Sequence, residues 1–149
     1  MALEVSGGTE ALEEQMLFEA YELVVSGWCQ GEGAQDEMGR PIEPSSAFAR
    51  RWSAAGALER VWRRAVGDQD EALEAFERAN LALAAAVKDV PQRWNDRPER
   101  TQDEVLAALL DARRFLEARS RAPLALVEDL VDSLDRYESI PTLIFEKPA

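Results

Sequence analysis

The chain has 149 residues, with 29 acidic against 17 basic side chains, a net charge of −12, one cysteine and no histidine. The missing imidazole excludes Ser-His-Asp and Cys-His catalysis, histidine-ligated zinc and the Glu-x-x-His pairs of di-iron bundles. The lone Cys29 excludes an internal disulfide or a cysteine-cluster metal; no cofactor is expected, and so acidic a surface disfavours general nucleic-acid binding.

The N-terminal "MALEVSGGTEALEEQ" shows neither a basic n-region nor an apolar h-region, so a secretory signal is not expected. The longest apolar run, Leu81 to Val87, is far short of the ~20 residues of a membrane span. With the single cysteine, this predicts a soluble cytoplasmic protein folded as one domain over residues 1–149.

Five segments read as helices and none reads as a sheet strand. The first is expected from about Glu10 to Ser26, with Thr9 as N-cap. Its stripe is Leu12, Met16, Ala20, Leu23 and Val24, widened by Leu17, Tyr21 and Val25, and Gly27 serves as a left-handed C-cap. A long Gly- and Pro-containing loop follows, Trp28 to Pro44, in which "DEMGRP" suggests a turn with Gly39 at positive φ and leaves room for a short hairpin.

The second helix is expected over about Ser46 to Ala65, capped by Ser45, with Phe48, Trp52, Ala55, Leu58 and Trp62 at helical spacing. Within it Ala54, Gly56 and Ala57 make a strip where another helix can approach closely. Asp68 opens the third, with Glu71 in a capping-box arrangement. Leu73, Phe76, Ala79, Leu83, Ala86 and Val87 form its stripe, and Asn80 sits beside it, needing a partner or an edge position.

The fourth helix spans about Gln102 to Ala118, with Val105, Leu109, Ala112 and Leu116 inward. Pro123 suits the first turn of a fifth, whose inner face would be Val127, Leu130, Leu134 and Tyr137. The tail "SIPTLIFEKPA" is expected to be extended, its apolar 139–145 stretch docking on its own bundle or joining another chain. The fold class is therefore all-α, a single-domain bundle of about five helices with one long loop and an extended C-terminal tail.

Charge is unevenly spread. Residues 1–44 hold ten acids against Arg40, whereas residues 45–66 hold Arg50, Arg51, Arg60, Arg63 and Arg64 against Glu59. The plainest expectation is that these arginines face the acidic first helix and the loop after it, with a phosphate site as the alternative. The loop carboxylates Glu32, Asp36, Glu37 and Glu43 lack the spacing of a calcium loop, and no carboxylate pair is marked out for hydrolysis.

Two motifs stand apart. In "WNDRPERTQDE", Thr101 and Glu104 make a capping box and Asp103 favours the positive helix end. The preceding Trp94, Asn95 and Asp96 fit either a stapled corner between helices or a presented surface, with Arg93, Arg97 or Arg100 able to stack on the Trp94 ring. In "GWCQG", Trp28 and Cys29 are expected to pack inward, and Gln30 to bond a ligand or a loop carbonyl. Nothing near Cys29 would lower its pKa, so an inert buried thiol is expected.

Taken in order, "GWCQG", "DEMGRP", "WSAAGALERV" and "WNDRPERTQDEVLAAL" resemble a small uncharacterised domain family found mainly in actinobacteria and their phages. The resemblance covers roughly Leu12 to Ala118, leaving 119–149 as additions. Members of that family often carry cysteine before the "GA" pair, where this chain has Ser53, so a paired-thiol site is not expected. The resemblance implies no activity. It points to Trp28, Gln30, Trp94, Asn95, Asp96, Arg100 and Thr101, as one cluster or as two separate corners.

The functional expectation is a small acidic regulatory or protein-interaction module without catalysis, its candidate binding residues Trp28, Gln30, Trp94, Asn95, Asp96, Arg97 and Arg100. Gly27, Gly56, Thr101 and Glu104 are expected to be structural. One alternative is an enzyme or small-molecule binder with Gln30, Asn95, Asp96 and Arg100 in one pocket. Another is an acidic nucleic-acid mimic that inhibits a partner.

Overall fold

The structure is a computed structural model that describes residues 10–121. The predicted helix beginning at Pro123 and the 139–145 tail, like Thr9, lie outside the described residues. Within them are five helices and a minimal antiparallel pair: α1 (Leu12–Ser26), β1 (Ala34–Gln35), β2 (Arg51–Trp52), α2 (Ala54–Arg63), α3 (Gln69–Val87), α4 (Pro91–Asn95) and α5 (Gln102–Arg121).

α1 begins at Ala11 with no side-chain cap. It packs on α5, α2 and α3, and Leu17, Ala20 and Val24 are fully buried there beside Leu58, Ala79, Leu83 and Leu109. α1 and α5 run antiparallel. Gln102 Nε2 donates to the Val24 carbonyl at one end (2.7 Å), and Arg113 reaches Glu10 at the other (2.7 Å). Glu13 is held by Arg78 of α3. Glu13 of α1 thus pairs with α3, and Glu10, just before α1, with α5.

Of the arginines of 45–66, Arg60 and Arg64 share a groove with Glu19 and Glu22 of α1, while three bond the loop backbone. Arg60 donates to the carbonyls of Pro44 and Ser46, Arg50 to those of Ala47 and Ala49, and Arg51 to that of Asp36. They satisfy the open carbonyls of an irregular loop, because a guanidinium offers several donors at the end of a long stem.

That loop is longer than expected. The second helix starts at Ala54, not Ser46, and its cap is Ser53, whose Oγ accepts from Gly56 N (2.9 Å). Phe48 is 70% exposed, and Trp52 sits in β2 with its indole donating to Pro44 O, so neither belongs to the helical stripe. The periodicity was real over Ala55, Leu58 and Trp62 but accidental upstream, where Ala34↔Trp52 and Gln35↔Arg51 pair across strands. The anticipated turn is present. Asp36 N donates to Arg40 O, Asp36 Oδ1 accepts from the amides of Met38 and Arg40, and Gly39 has φ 83°.

Two glycines work by close approach. Gly27 is extended, with φ −179° rather than left-handed, and a Cβ there would stand 2.3 Å from the Arg50 carbonyl oxygen. A Cβ on Gly56 would fall 1.8 Å from the carbonyl oxygen of Gly33. At Gly56 the small-residue strip therefore admits loop backbone.

α3 opens as expected, Asp68 accepting from the amides of Asp70 and Glu71. Asn80 is neither paired nor at an edge: it is 1% exposed, and its Nδ2 has no hydrogen-bond partner. Lys88, in the left-handed region at φ 59°, ends α3 and turns the chain into α4.

Candidate functional site

The "GWCQG" turn after α1 and the "WND" corner at the end of α4 form one cluster. Asn95 is at its centre and has no exposed surface. Its Oδ1 accepts from Trp28 Nε1 (2.9 Å) and from Ala54 N (3.0 Å). Its Nδ2 donates to the Cys29 carbonyl and to Asp96 Oδ1, both at 3.0 Å. A primary amide offers two donors and one acceptor oxygen, so every polar group of the side chain is engaged. Ala54 N is one of the orphan amides at the start of α2, and with Ser53 taking Gly56 N, the helix is capped partly from 41 residues away.

Around Asn95 the two loops interlock. Gln30 Nε2 donates to the carbonyls of Asn95 (2.9 Å) and Arg97 (2.8 Å). Asp96 Oδ1 accepts from Gly31 N (2.9 Å) and Gln92 Nε2 (3.0 Å). Gln92 Oε1 in turn accepts from the Ser53 hydroxyl (2.8 Å). Ser53, standing where the resemblance leads one to expect cysteine, is thus a buried link between the α2 cap and α4.

Gln92 and Ser53 were missed in the sequence. The signal for Gln92 was Pro91, which starts a short helix and puts Gln92 four residues from Asp96.

The rim is made by the arginines and Trp94. Arg100 lies over the Trp94 ring, 4.0 Å from its centroid, and its Nε donates to Trp94 O. Thr101 Oγ1 accepts from Glu104 N (3.2 Å) while Glu104 Oε1 accepts from Thr101 N (3.0 Å), the expected capping box. The Thr101 amide and the Arg100 guanidinium hold the Glu104 carboxyl below its ordinary pKa. Arg93 and Arg97 both bind Asp89 (2.9 and 3.2 Å). Burial pushes Asp89 up, but Arg93, the Val90 amide and Arg97 outweigh it and leave the carboxyl lowered. Trp94 and Arg100 border a shallow hollow of about 270 Å³ with Val87, Ala107 and Asp111.

Chemically the cluster is a latch. Its polar atoms face one another across the two loops. Cys29 is buried, and burial with the nearby carboxylates of Glu32 and Asp96 pushes its thiol up to about 12. Among the described residues, no three of Cys, Asp and Glu converge as a metal-binding set, and no helix is long and apolar enough to cross a membrane.

A second feature, which the sequence did not single out, lies in the loop between α1 and α2. Met38 and Phe48 are 76% and 70% exposed and flank a hollow of about 410 Å³, together with Asp36, Glu37, Arg40, Ile42 and Arg50. Both sit on tight turns. Asp36 takes the Met38 and Arg40 amides and the Arg40 guanidinium, and Ser46 Oγ takes the Phe48 amide. The helical reading of 46–52 hid this placement.

Among curated proteins and solved structures, none matches the chain. A family model does match, over residues 12–115, a span that holds α1, the double loop, the latch and most of α5. The chain belongs to DUF6197, a family of unknown function.

Proposed function

We propose that the protein is a small acidic interaction module without catalytic activity, which presents Met38 and Phe48 to a protein partner. The observation that carries this reading is the pair of large apolar side chains standing out of pre-ordered turns and ringed by Asp36, Glu37, Arg40 and Arg50. Aromatic and methionine side chains beside arginines are the groups that dominate interface energies. Turns already ordered before binding lower the entropy cost of association.

In this reading, Trp28, Gln30, Asn95 and Asp96 hold the loops in register, while Trp94, Arg97 and Arg100 border the face at the end of α4. The polar groups of Gln30, Asn95 and Asp96 bond one another's loops, which favours interaction over a pocket built from them. The partner is a protein surface with an apolar recess bordered by charges of both signs.

The test compares the full chain with a Met38→Ser/Phe48→Ser variant as bait in native-host lysate, followed by titration of the purified partner. The expected outcome is at least about a tenfold loss of affinity at unchanged helicity, the scale of an interface hot spot. Equal affinity overturns the placement of the surface. Turnover of a defined substrate, abolished by Asn95→Ala in a variant that keeps its fold, overturns the absence of catalysis.

A further inference from the structure

A groove of about 780 Å³ runs between α1 and the end of α2, and it shares no residue with the latch or with the Met38–Phe48 hollow. Leu12 and Ser26, at the two ends of α1, both line it, so it is about 21 Å long at 1.5 Å per residue. Its α1 side is the stripe Leu12, Met16, Glu19, Leu23 and Ser26, spaced by four and three residues as one helix face. Glu19 therefore stands in the middle of a largely apolar strip, with Glu22 beside it. Desolvation, and then Glu22, raise the Glu19 carboxyl above its ordinary pKa. The other side of the groove carries Val61 with Arg60 and Arg64, and beyond them Val66, which is 92% exposed.

The two charged walls do not neutralise each other. Among the described residues, no ion pair joins Glu19 or Glu22 to Arg60 or Arg64. The bonds from Arg60 to the Pro44 and Ser46 carbonyls both leave from Nη1. A guanidinium has five N–H donors, so donors remain for a carboxylate. Burial, and then the cations of Arg64 and Arg50, lower the Arg60 guanidinium, because charge on that wall is crowded rather than paired. A fitting occupant sets a cation against α1, an anion against the arginines, and apolar surface over Leu12, Leu23 and Val61 between them. A helix of about four turns has the length and carries three such stripes along its faces. A compact small molecule would leave most of the groove bare.

We propose that this groove binds an amphipathic helix of a partner protein. Its apolar stripe is flanked by lysine or arginine towards Glu19 and Glu22, and by glutamate or aspartate towards Arg60 and Arg64. The inference does not rest on the Met38–Phe48 surface.

The test is fluorescence anisotropy of the full chain with stapled helical probes of about 14 residues, their leucines spaced by four and three. One probe carries lysines on one flank and glutamates on the other. Two controls carry lysines on both flanks or glutamates on both. The mixed probe should bind at least about fivefold tighter than either control, and its binding should weaken with salt. Arg64→Glu should erase its advantage over the both-lysine control, and Glu22→Lys its advantage over the both-glutamate control. Phe48→Ser should change neither. Arg64 and Glu22 are exposed, so both variants should keep the fold, which Tm checks; where one does not, Arg64→Gln or Glu22→Gln replaces it and should reduce the same advantage. No binding of the mixed probe at about 1 mM overturns the proposal, as does equal binding of all three probes or an advantage that both variants leave intact. A both-lysine control that binds tightest overturns it in favour of net charge alone. Self-association of the chain that the mixed probe competes away and Arg64→Glu abolishes overturns it in favour of a second copy as occupant.

Discussion

Replacing Asn95 by alanine removes four hydrogen bonds, of which those to the Trp28 indole and the Cys29 carbonyl join the two loops. Two of the abandoned partners lie in fully protein-lined surroundings: the Ala54 amide and the Cys29 carbonyl. A buried polar group left without a partner costs about 1–3 kcal/mol. The two together therefore cost about 2–6 kcal/mol, against the 5–15 kcal/mol that domains usually have. With a urea slope near 1.5 kcal/mol/M, a loss of about 3 kcal/mol moves the midpoint down by about 2 M.

The assay is urea unfolding followed by circular dichroism at 222 nm, with Asn95→Asp alongside. The aspartate keeps the acceptor for Trp28 and Ala54 but loses the donor to Cys29 O and sets a second carboxylate beside Asp96. It should be destabilised and should recover part of the loss at acidic pH, where the carboxyl regains a proton to donate. A midpoint shift below about 0.3 M for Asn95→Ala would refute the reasoning, since water or a loop movement would then be replacing the amide at no cost.

Three further outcomes are expected. Gly56→Ala should destabilise by several kcal/mol in the same assay even though alanine gains about 1 kcal/mol of helix propensity. The reason is the 1.8 Å approach of its Cβ to Gly33 O, and a neutral result would show that the loop yields. Glu14, buried in α1, has its pKa raised by burial first and then by Glu117 and Glu10. A raised carboxyl binds protons more tightly folded than unfolded, so its ionisation lowers stability as pH rises through the folded pKa. Glu14→Gln should accordingly raise Tm at pH 7, with the gain vanishing as pH falls to the ordinary carboxyl range; a gain constant with pH would refute this. Cys29, with its thiol pushed up to about 12, should react with iodoacetamide at pH 8 far more slowly in the native chain than in urea. Equal rates would place it outside the core.

Periodicity determined the helices that are built from local information. α1, α3 and α5 were legible because their stripes run for four or more turns, and α3 and α5 also because their caps, Asp68 and the Thr101–Glu104 box, lie within three residues of what they satisfy. The 46–52 stretch was not legible, because Phe48 and Trp52 continue the spacing of α2 by chance. What ends the helix at Ala54 is a strand partner at Ala34 and a cap from Asn95, both distant in sequence. The same holds for the latch. Sequence singled out Trp28, Gln30, Asn95 and Asp96 but left open whether they meet. Their bonds span 65 to 67 residues and exist only once α1, α2 and α4 are packed. An asparagine amide reads alike on a surface and in a core, and only tertiary structure, by deciding which backbone groups surround it, gave it four partners and no water.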